Sequence, residues 1–247
     1  MNLPPARPLA LLALLLGSLP LSAPAQSAAE DEARQFVAKV LAARPATGFT
    51  NHGVMKLRDP QHGSTTLPLT CQTVLSDHDW TVTYQAGGTA LTVTHPDTGP
   101  NRYSLRTPDG QTKILSGRET ALPFAGSDFQ LGDLGLEFLH WPGQRVVKKE
   151  FHRNCSCTVI ESANPFPGGG TYARVVAWFD EESLGIVEAE AYDAAGNEVK
   201  NFYPKDLKKV NGVYQVETLF IKNPQTGSRT QLEFNFEEPP AAASPEK

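Results

Sequence analysis

The sequence predicts a mainly β, α+β fold carried by antiparallel sheet. Only one stretch, near the N-terminus, has a long helical pattern. From Gly48 onward the chain breaks into short strand-like segments. The breaks carry hairpin chemistry, as in Asp109-Gly110, Ala195-Gly196-Asn197, Asn211-Gly212 and Asn223-Pro224-Gln225-Thr226-Gly227. Such short links join antiparallel neighbours, and the absence of βαβ alternation excludes a doubly wound parallel sheet.

Residues 1–25 read as a secretory signal outside the fold. Arg7 precedes an unbroken apolar run from Leu9 to Leu16, and Ala23-Pro24-Ala25 supplies the small-x-small cleavage pattern. The run is too short to span a bilayer comfortably, and no later segment approaches the length of a transmembrane helix. Cleavage removes Arg7, the only charge before that point, and takes the net charge from −5 to −6. The expectation is an exported, soluble, periplasmic protein.

Ser27 to Arg44 is the helical stretch. Phe36, Val37, Val40 and Leu41 form a narrow apolar stripe, Glu30 to Glu32 suit the positive end of the macrodipole, and Pro45 stops the helix. Strands are predicted at Phe49–Arg58, Ser64–Leu75, Trp80–Gln85, Ala90–His95, Asn101–Leu105 and Lys113–Leu115. They resume at Gln144–Phe151, Cys157–Ser162, Tyr172–Asp180, Gly185–Tyr192, Val199–Leu207, Tyr214–Lys222 and Gln231–Glu237. In the last, Leu232, Phe234 and Phe236 share one face, which reads as structural packing.

Between the two groups lies a segment crowded with large apolar residues: Phe124, Phe129, Leu131, Leu134, Leu136, Phe138, Leu139 and Trp141. Ser127 or Asp128 is placed to cap a short helix there. One short helix cannot bury so many apolar side chains on one stripe, so the segment lines a core, plugs a concave sheet or meets a ligand. Tyr172, Val176, Trp178, Val187, Ala189 and Ala191 are candidates for the facing wall. Arg174 shares the alternation of Tyr172, Val176 and Trp178; on a concave face it suits a lipid headgroup, on a convex face solvent. Residues 26–237 thus form one domain, and 238–247 read as a loose tail.

Composition narrows function. Charged residues make up 20% of the chain and the net charge is −5, so no broad basic surface exists for nucleic acid. There is no Gly-x-Ser-x-Gly, His-Glu-x-x-His or phosphate-binding loop. His78 beside Asp79 reads as a polar turn, and Glu188 with Glu190 as a solvated strand face. Cys155 and Cys157 with His152 lack the second ligand pair of a zinc site, so no metal and no cofactor are expected. In an exported protein Cys71 is a candidate disulfide partner for Cys155 or Cys157.

Several stretches together carry a family resemblance: Arg44 to Arg58 as a helix-to-strand passage; Gly126-Ser127-Asp128-Phe129 followed by Gly132-Asp133-Leu134; Tyr172-Ala173-Arg174-Val175-Val176-Ala177-Trp178-Phe179-Asp180; and the turns at Tyr192–Asn197 and Asn223–Thr230. In order and spacing the chain resembles the LolA-like outer-membrane lipoprotein-sorting proteins over Arg34 to Glu237. The resemblance implies a curved antiparallel sheet forming a half-open β-barrel, with helices over the concave face. It also implies an apolar cavity for lipoprotein acyl chains or other lipid, with handover between inner- and outer-membrane partners and no covalent chemistry. Relatives of this architecture also include envelope stress regulators and one small-molecule enzyme. The alternatives are therefore a lipid- or lipoprotein-sensing regulator, an enzyme on a small hydrophobic substrate, or a structural envelope protein.

Overall fold

The computed structural model describes residues 24–210 and 213–236, with side chains assigned outside 24–26, 210, 213 and 214. The expected signal lies outside them up to residue 23, as does the expected tail at 238–247. Among the described residues one α-helix, α1 (Pro24–Ala42), precedes thirteen strands. The first six are β1 (Phe49–Asp59), β2 (Gly63–Leu75), β3 (Asp79–Ala86), β4 (Thr89–Pro96), β5 (Arg102–Arg106) and β6 (Thr112–Leu115). The other seven are β7 (Gly143–His152), β8 (Cys155–Ala163), β9 (Arg174–Asp180), β10 (Ile186–Tyr192), β11 (Glu198–Val210), β12 (Val213–Lys222) and β13 (Arg229–Asn235). Each matches an expected strand, with ends shifted by a few residues.

All thirteen belong to one antiparallel sheet in the order β6-β5-β4-β3-β2-β1-β13-β12-β11-β10-β9-β8-β7. Spatial neighbours are sequence neighbours throughout, apart from the β1–β13 pair that joins the two ends of the chain. The two free edges, β6 and β7, are consecutive in the chain. The sheet is therefore a meander left open at one place, the open half-barrel of the expected class. Residues 116–142, which link the two edges, fill its concave side.

That connector holds no α-helix. It consists of 3₁₀ turns at Gly117–Ala121, Asp133–Gly135 and Glu137–His140, and a tight loop in which the Phe124 amide donates to Phe129 O (2.8 Å) and the Leu131 amide to Leu122 O (2.9 Å). Ser127 and Asp128 cap no helix. Asp128 instead accepts hydrogen bonds from the Ser228 and Thr230 hydroxyls of β13 and its approach (2.5 and 2.9 Å), with Lys200 of β11 at 3.5 Å. It pins the connector to the middle of the sheet.

α1 is displaced from its expected span of Ser27–Arg44. Arg44 is drawn out of the helix because its guanidinium binds Ser76 O (2.8 Å), Asp79 O (3.1 Å) and Asp97 (2.9 Å). The helix also begins earlier, so its first turn carries no acidic residue. Asp31 pairs instead with Arg34, and Glu32 with Lys149 of β7. Ala33 and Val37 are buried, and Phe36 meets Phe179 edge-on at 5.6 Å, which places the helix on the concave side against β7–β9.

β9 is apolar on both faces. Val175, Ala177 and Phe179 join the main core with the connector, whereas Val176 and Trp178 join a smaller cluster with Cys157 and Val159 on the convex side. A bulge between Ile186 and Glu188 moves Val187 to that convex cluster, separating it from Ala189 and Ala191, which face the main core. Glu188, expected on a solvated face, is 8% exposed and bound by His152 (2.7 Å), Arg153 (2.8 Å) and Asn201 (2.6 Å). The three thiols are free. Cys71 on β2 is separated from Cys155 and Cys157 on β8 by six intervening strands, so neither candidate disulfide exists.

Candidate functional site

A cavity of about 650 Å³ opens at one end of the half-barrel, between the α1–β1 connection and the central strands. Its wall follows the two-residue period along β1 and β13, whereas on β12 Val216 and Leu219 are three apart, where the β11–β12 register shifts. β1 gives Phe49 and Asn51, β2 Cys71, β3 Tyr84, β12 Val216 and Leu219, and β13 Leu232 and Phe234; Phe236 follows, and Pro45, Ala46 and Thr47 close the side. Burial is graded: Leu232 is fully buried at the floor, while Phe49 and Val216 are each 37% exposed at the rim.

One glycine makes room for this wall. Gly53 pairs with Phe234 across β1 and β13, and a Cβ at Gly53 would overlap the Glu233 carbonyl oxygen. Only glycine permits this approach of the two backbones. None of the lining residues is a formal charge carrier at neutral pH. Burial pushes the Cys71 thiol up to about 12, and burial followed by the field of Cys71 raises the Tyr84 phenol well above its ordinary value. Both stay protonated. The other polar side-chain atoms in the wall belong to neutral Asn51, Gln215 and Thr47. Such a cavity accepts apolar matter and disfavours ions, because an unpaired charge there would lose its hydration.

Of the residues expected to line a cavity, none lines this one; Phe138, Trp141 and Tyr172 line a separate cleft of about 540 Å³ at the gap between the sheet edges. Phe124, Phe129, Leu131, Leu134 and Phe138 are buried in the main core; Leu136 and Trp141 pack against it half-buried. Phe124 meets Tyr84 at 6.5 Å and Phe138 meets Phe202 at 6.3 Å, so the connector fills the barrel as core. Tyr172, just before β9, is buried and donates to Asp133 Oδ2 (3.0 Å), which also accepts the Gln130 amide (2.7 Å). Burial pushes the Asp133 carboxyl up to about 6 despite those bonds.

Arg174, Val176 and Trp178 are on the convex face. Arg174 lies over the Tyr192 ring at 3.6 Å with Glu161 at 3.5 Å, and the Trp178 indole donates to Glu150 (2.7 Å). The alternation of β9 is read correctly from the sequence. Its sidedness is not, because both faces are apolar. Conversely, Phe234 and Phe236, expected as packing, line the open cavity with Phe49, Val216 and Leu219. The signal for them was the clean alternation of Leu232, Phe234 and Phe236.

Among the described residues no group of three or more His, Cys, Asp or Glu is placed to hold a metal, and no helix is long and apolar enough to cross a membrane.

A family model described as "-like: Uncharacterized protein" matches residues 83–238. No curated protein matches the chain. Among solved structures, a domain from Vibrio parahaemolyticus, described as belonging to an outer membrane lipoprotein-sorting protein, is 20% identical with a TM-score of 0.70, over 84% of this chain and 92% of that one. A DUF1329 family protein from Desulfovibrio piger is 16% identical with a TM-score of 0.70, over 87% and 95%. A LolA superfamily protein from Nitrosomonas europaea is 13% identical with a TM-score of 0.59, over 83% and 91%. At these identities the likeness establishes the fold: an open LolA-type half-barrel.

Proposed function

The chain belongs to the family whose model spans residues 83–238, and from its fold and its uncharged cavity we propose that it is a periplasmic carrier of acyl chains. The observation that carries this reading is the cavity of about 650 Å³ with no charged lining residue and a half-exposed apolar rim. Each methylene transferred from water into such a wall contributes roughly 0.8 kcal/mol, so one chain of ordinary length supplies affinity without any catalytic group. The ligand class is a lipoprotein or another acylated lipid. The signal-like residues 1–25 support the periplasm as the compartment, with handover to inner- and outer-membrane partners at the exposed rim.

The connector is pinned core, so the acyl chain enters end-on between Phe49 and Val216 rather than under a helical lid. The test is native mass spectrometry of the exported protein purified without detergent, repeated after organic extraction. Bound phospholipid or acylated peptide is expected, removed by extraction and restored on adding lipid. Val216→Glu, a rim change compatible with folding, is expected to reduce uptake at least ten-fold. A clean apo mass that takes up no added lipid or lipopeptide would overturn the reading.

A further inference from the structure

The cleft of about 540 Å³ at the gap between the sheet edges shares no lining residue with the apolar cavity. Much of its wall is made of rings: Phe138, Trp141, Phe166, Pro100 and Pro142. Phe138 is buried, Trp141 is half-buried and Phe166 is 75% exposed, so the ring faces run from the core out to solvent.

Most polar side chains of the wall are bound to the chain itself. Thr120, Gln130, Asn164 and Thr171 donate to Gly117 O (2.9 Å), Gly170 O (3.1 Å), Tyr172 O (2.7 Å) and Gly168 O (2.8 Å). The two acids are turned inward. Asp133 Oδ2 accepts the Tyr172 hydroxyl (3.0 Å) and the Gln130 amide (2.7 Å). The Glu137 carboxylate accepts the Tyr103 hydroxyl, and its Oε2 is sealed from solvent. Burial is the main cause raising both carboxyls, and it lowers His140, which is thereby neutral at pH 7.

Arg118 is the exception. It is exposed, and its guanidinium has no hydrogen bond or ion pair among the described residues. Its position is fixed by the β8–β9 loop: a Cβ at Gly169 would meet Arg118 Cδ, Nη1 and Nε at 3.5, 3.6 and 3.8 Å. The same loop carries Phe166, three residues earlier. The side chain thus reaches from the turn after β6 to the loop that bears the most exposed ring of the cleft. A guanidinium offers a planar fork of donors that matches a carboxylate with two parallel hydrogen bonds. Aromatic faces gain from a second ring beyond the apolar area that it covers.

We propose that this cleft binds a small aromatic carboxylate, its carboxylate on the Arg118 guanidinium and its ring against Trp141 and Phe166. The volume falls within the range of small-ligand sites. Such a ligand covers the exposed Phe166 ring and pairs the free cation, and it asks for no further polar contact from a wall whose other polar groups have partners. A neutral aromatic leaves the guanidinium unpaired, and an aliphatic acid has no flat face for the rings. The proposal stands independently of the acyl-carrier reading, since the two sites have separate walls.

The test is calorimetric titration of the purified full chain with 3-phenylpropanoate, for which saturable binding is expected. Two probes each lack one half of the chemistry: 3-phenylpropan-1-ol has no charge and hexanoate has no ring. Each is expected to bind about ten-fold more weakly. Arg118→Ala and Phe166→Ala change exposed side chains, so circular dichroism stays unchanged while binding of 3-phenylpropanoate weakens about ten-fold. Val216→Glu, at the rim of the other cavity, is expected to leave this titration unaltered. Absence of saturable heat, equal affinity for the alcohol or for hexanoate, or unweakened binding in Arg118→Ala or Phe166→Ala would overturn the proposal. Loss of binding in Val216→Glu would overturn it as well, by placing the ligand in the apolar cavity.

Discussion

At the scale of single residues, side chains remote in sequence decide the local outcome. Asp128 is an example: its carboxylate collects Ser228, Thr230 and Lys200, and its own backbone amide donates to Thr230 Oγ1 (2.9 Å). Asp128→Ala leaves the Lys200 ammonium, only 14% exposed, without its carboxylate, and is expected to cost about 3 kcal/mol in urea denaturation. Gly53→Ala is expected to cost at least about 2 kcal/mol by the same measurement, because the new Cβ meets backbone of β13 rather than a side chain able to move. Asp133 gives a pH signature. Its folded pKa of about 6 lies above the ordinary value of 3.8, so between those values the folded state binds more protons than the unfolded one. Its contribution to stability is then fully present below about pH 4 and is lost as pH rises through 6, with a slope of at most about 1.4 kcal/mol per pH unit. Glu188 acts in the opposite sense. Burial raises its carboxyl, but hydrogen bonds from Arg153, Asn201 and His152 outweigh it and hold the pKa below 4.5, so its contribution is lost on acidification. Asp133→Asn is expected to flatten the stability curve between pH 4 and 6 while leaving the acid limb that Glu188 sets. Unfolding midpoints across that range check it.

At the scale of elements, the connector between β6 and β7 and the strand pair β12–β13 have exchanged the roles their composition suggests. The connector is richer in large apolar residues, yet it is the core of the barrel. β12 and β13 look like ordinary strands, yet they wall the cavity. The two assignments separate by experiment. Phe129→Ala, at a fully buried site, is expected to cost about 3–5 kcal/mol of stability and to leave lipid uptake per folded molecule unchanged. Val216→Glu is expected to do the reverse: a small stability change and a large loss of uptake. Thermal denaturation beside native mass spectrometry distinguishes them. Equal effects of the two variants on both readouts would show that connector and cavity are one unit. α1 was recognisable from its apolar stripe, but its end was not, since Arg44 leaves the helix for partners on the β2–β3 turn and beyond β4.

At the scale of the whole molecule, the open sheet carries clefts with different linings. The apolar cavity sits among the central strands, and the mixed polar cleft lies at the gap between the edges. The strand series, its antiparallel connections and the helix α1 were legible in the sequence. Each depends on side-chain period and turn residues within a few positions, and those act locally whatever the rest of the chain does. Only the tertiary structure decided which face of β9 is concave, because Val176 and Trp178 are as apolar as Val175 and Phe179 and find a second cluster of their own. Only it decided that Cys71 is far from Cys155 and Cys157, that Glu188 is buried, and that the space beside Phe234 stays open. Those outcomes depend on which distant strands meet, as Gly53 meets Phe234, and on how far the connector fills the concave side before volume runs out. Alternation is a property of each segment; sidedness and empty space belong to the packing of all of them.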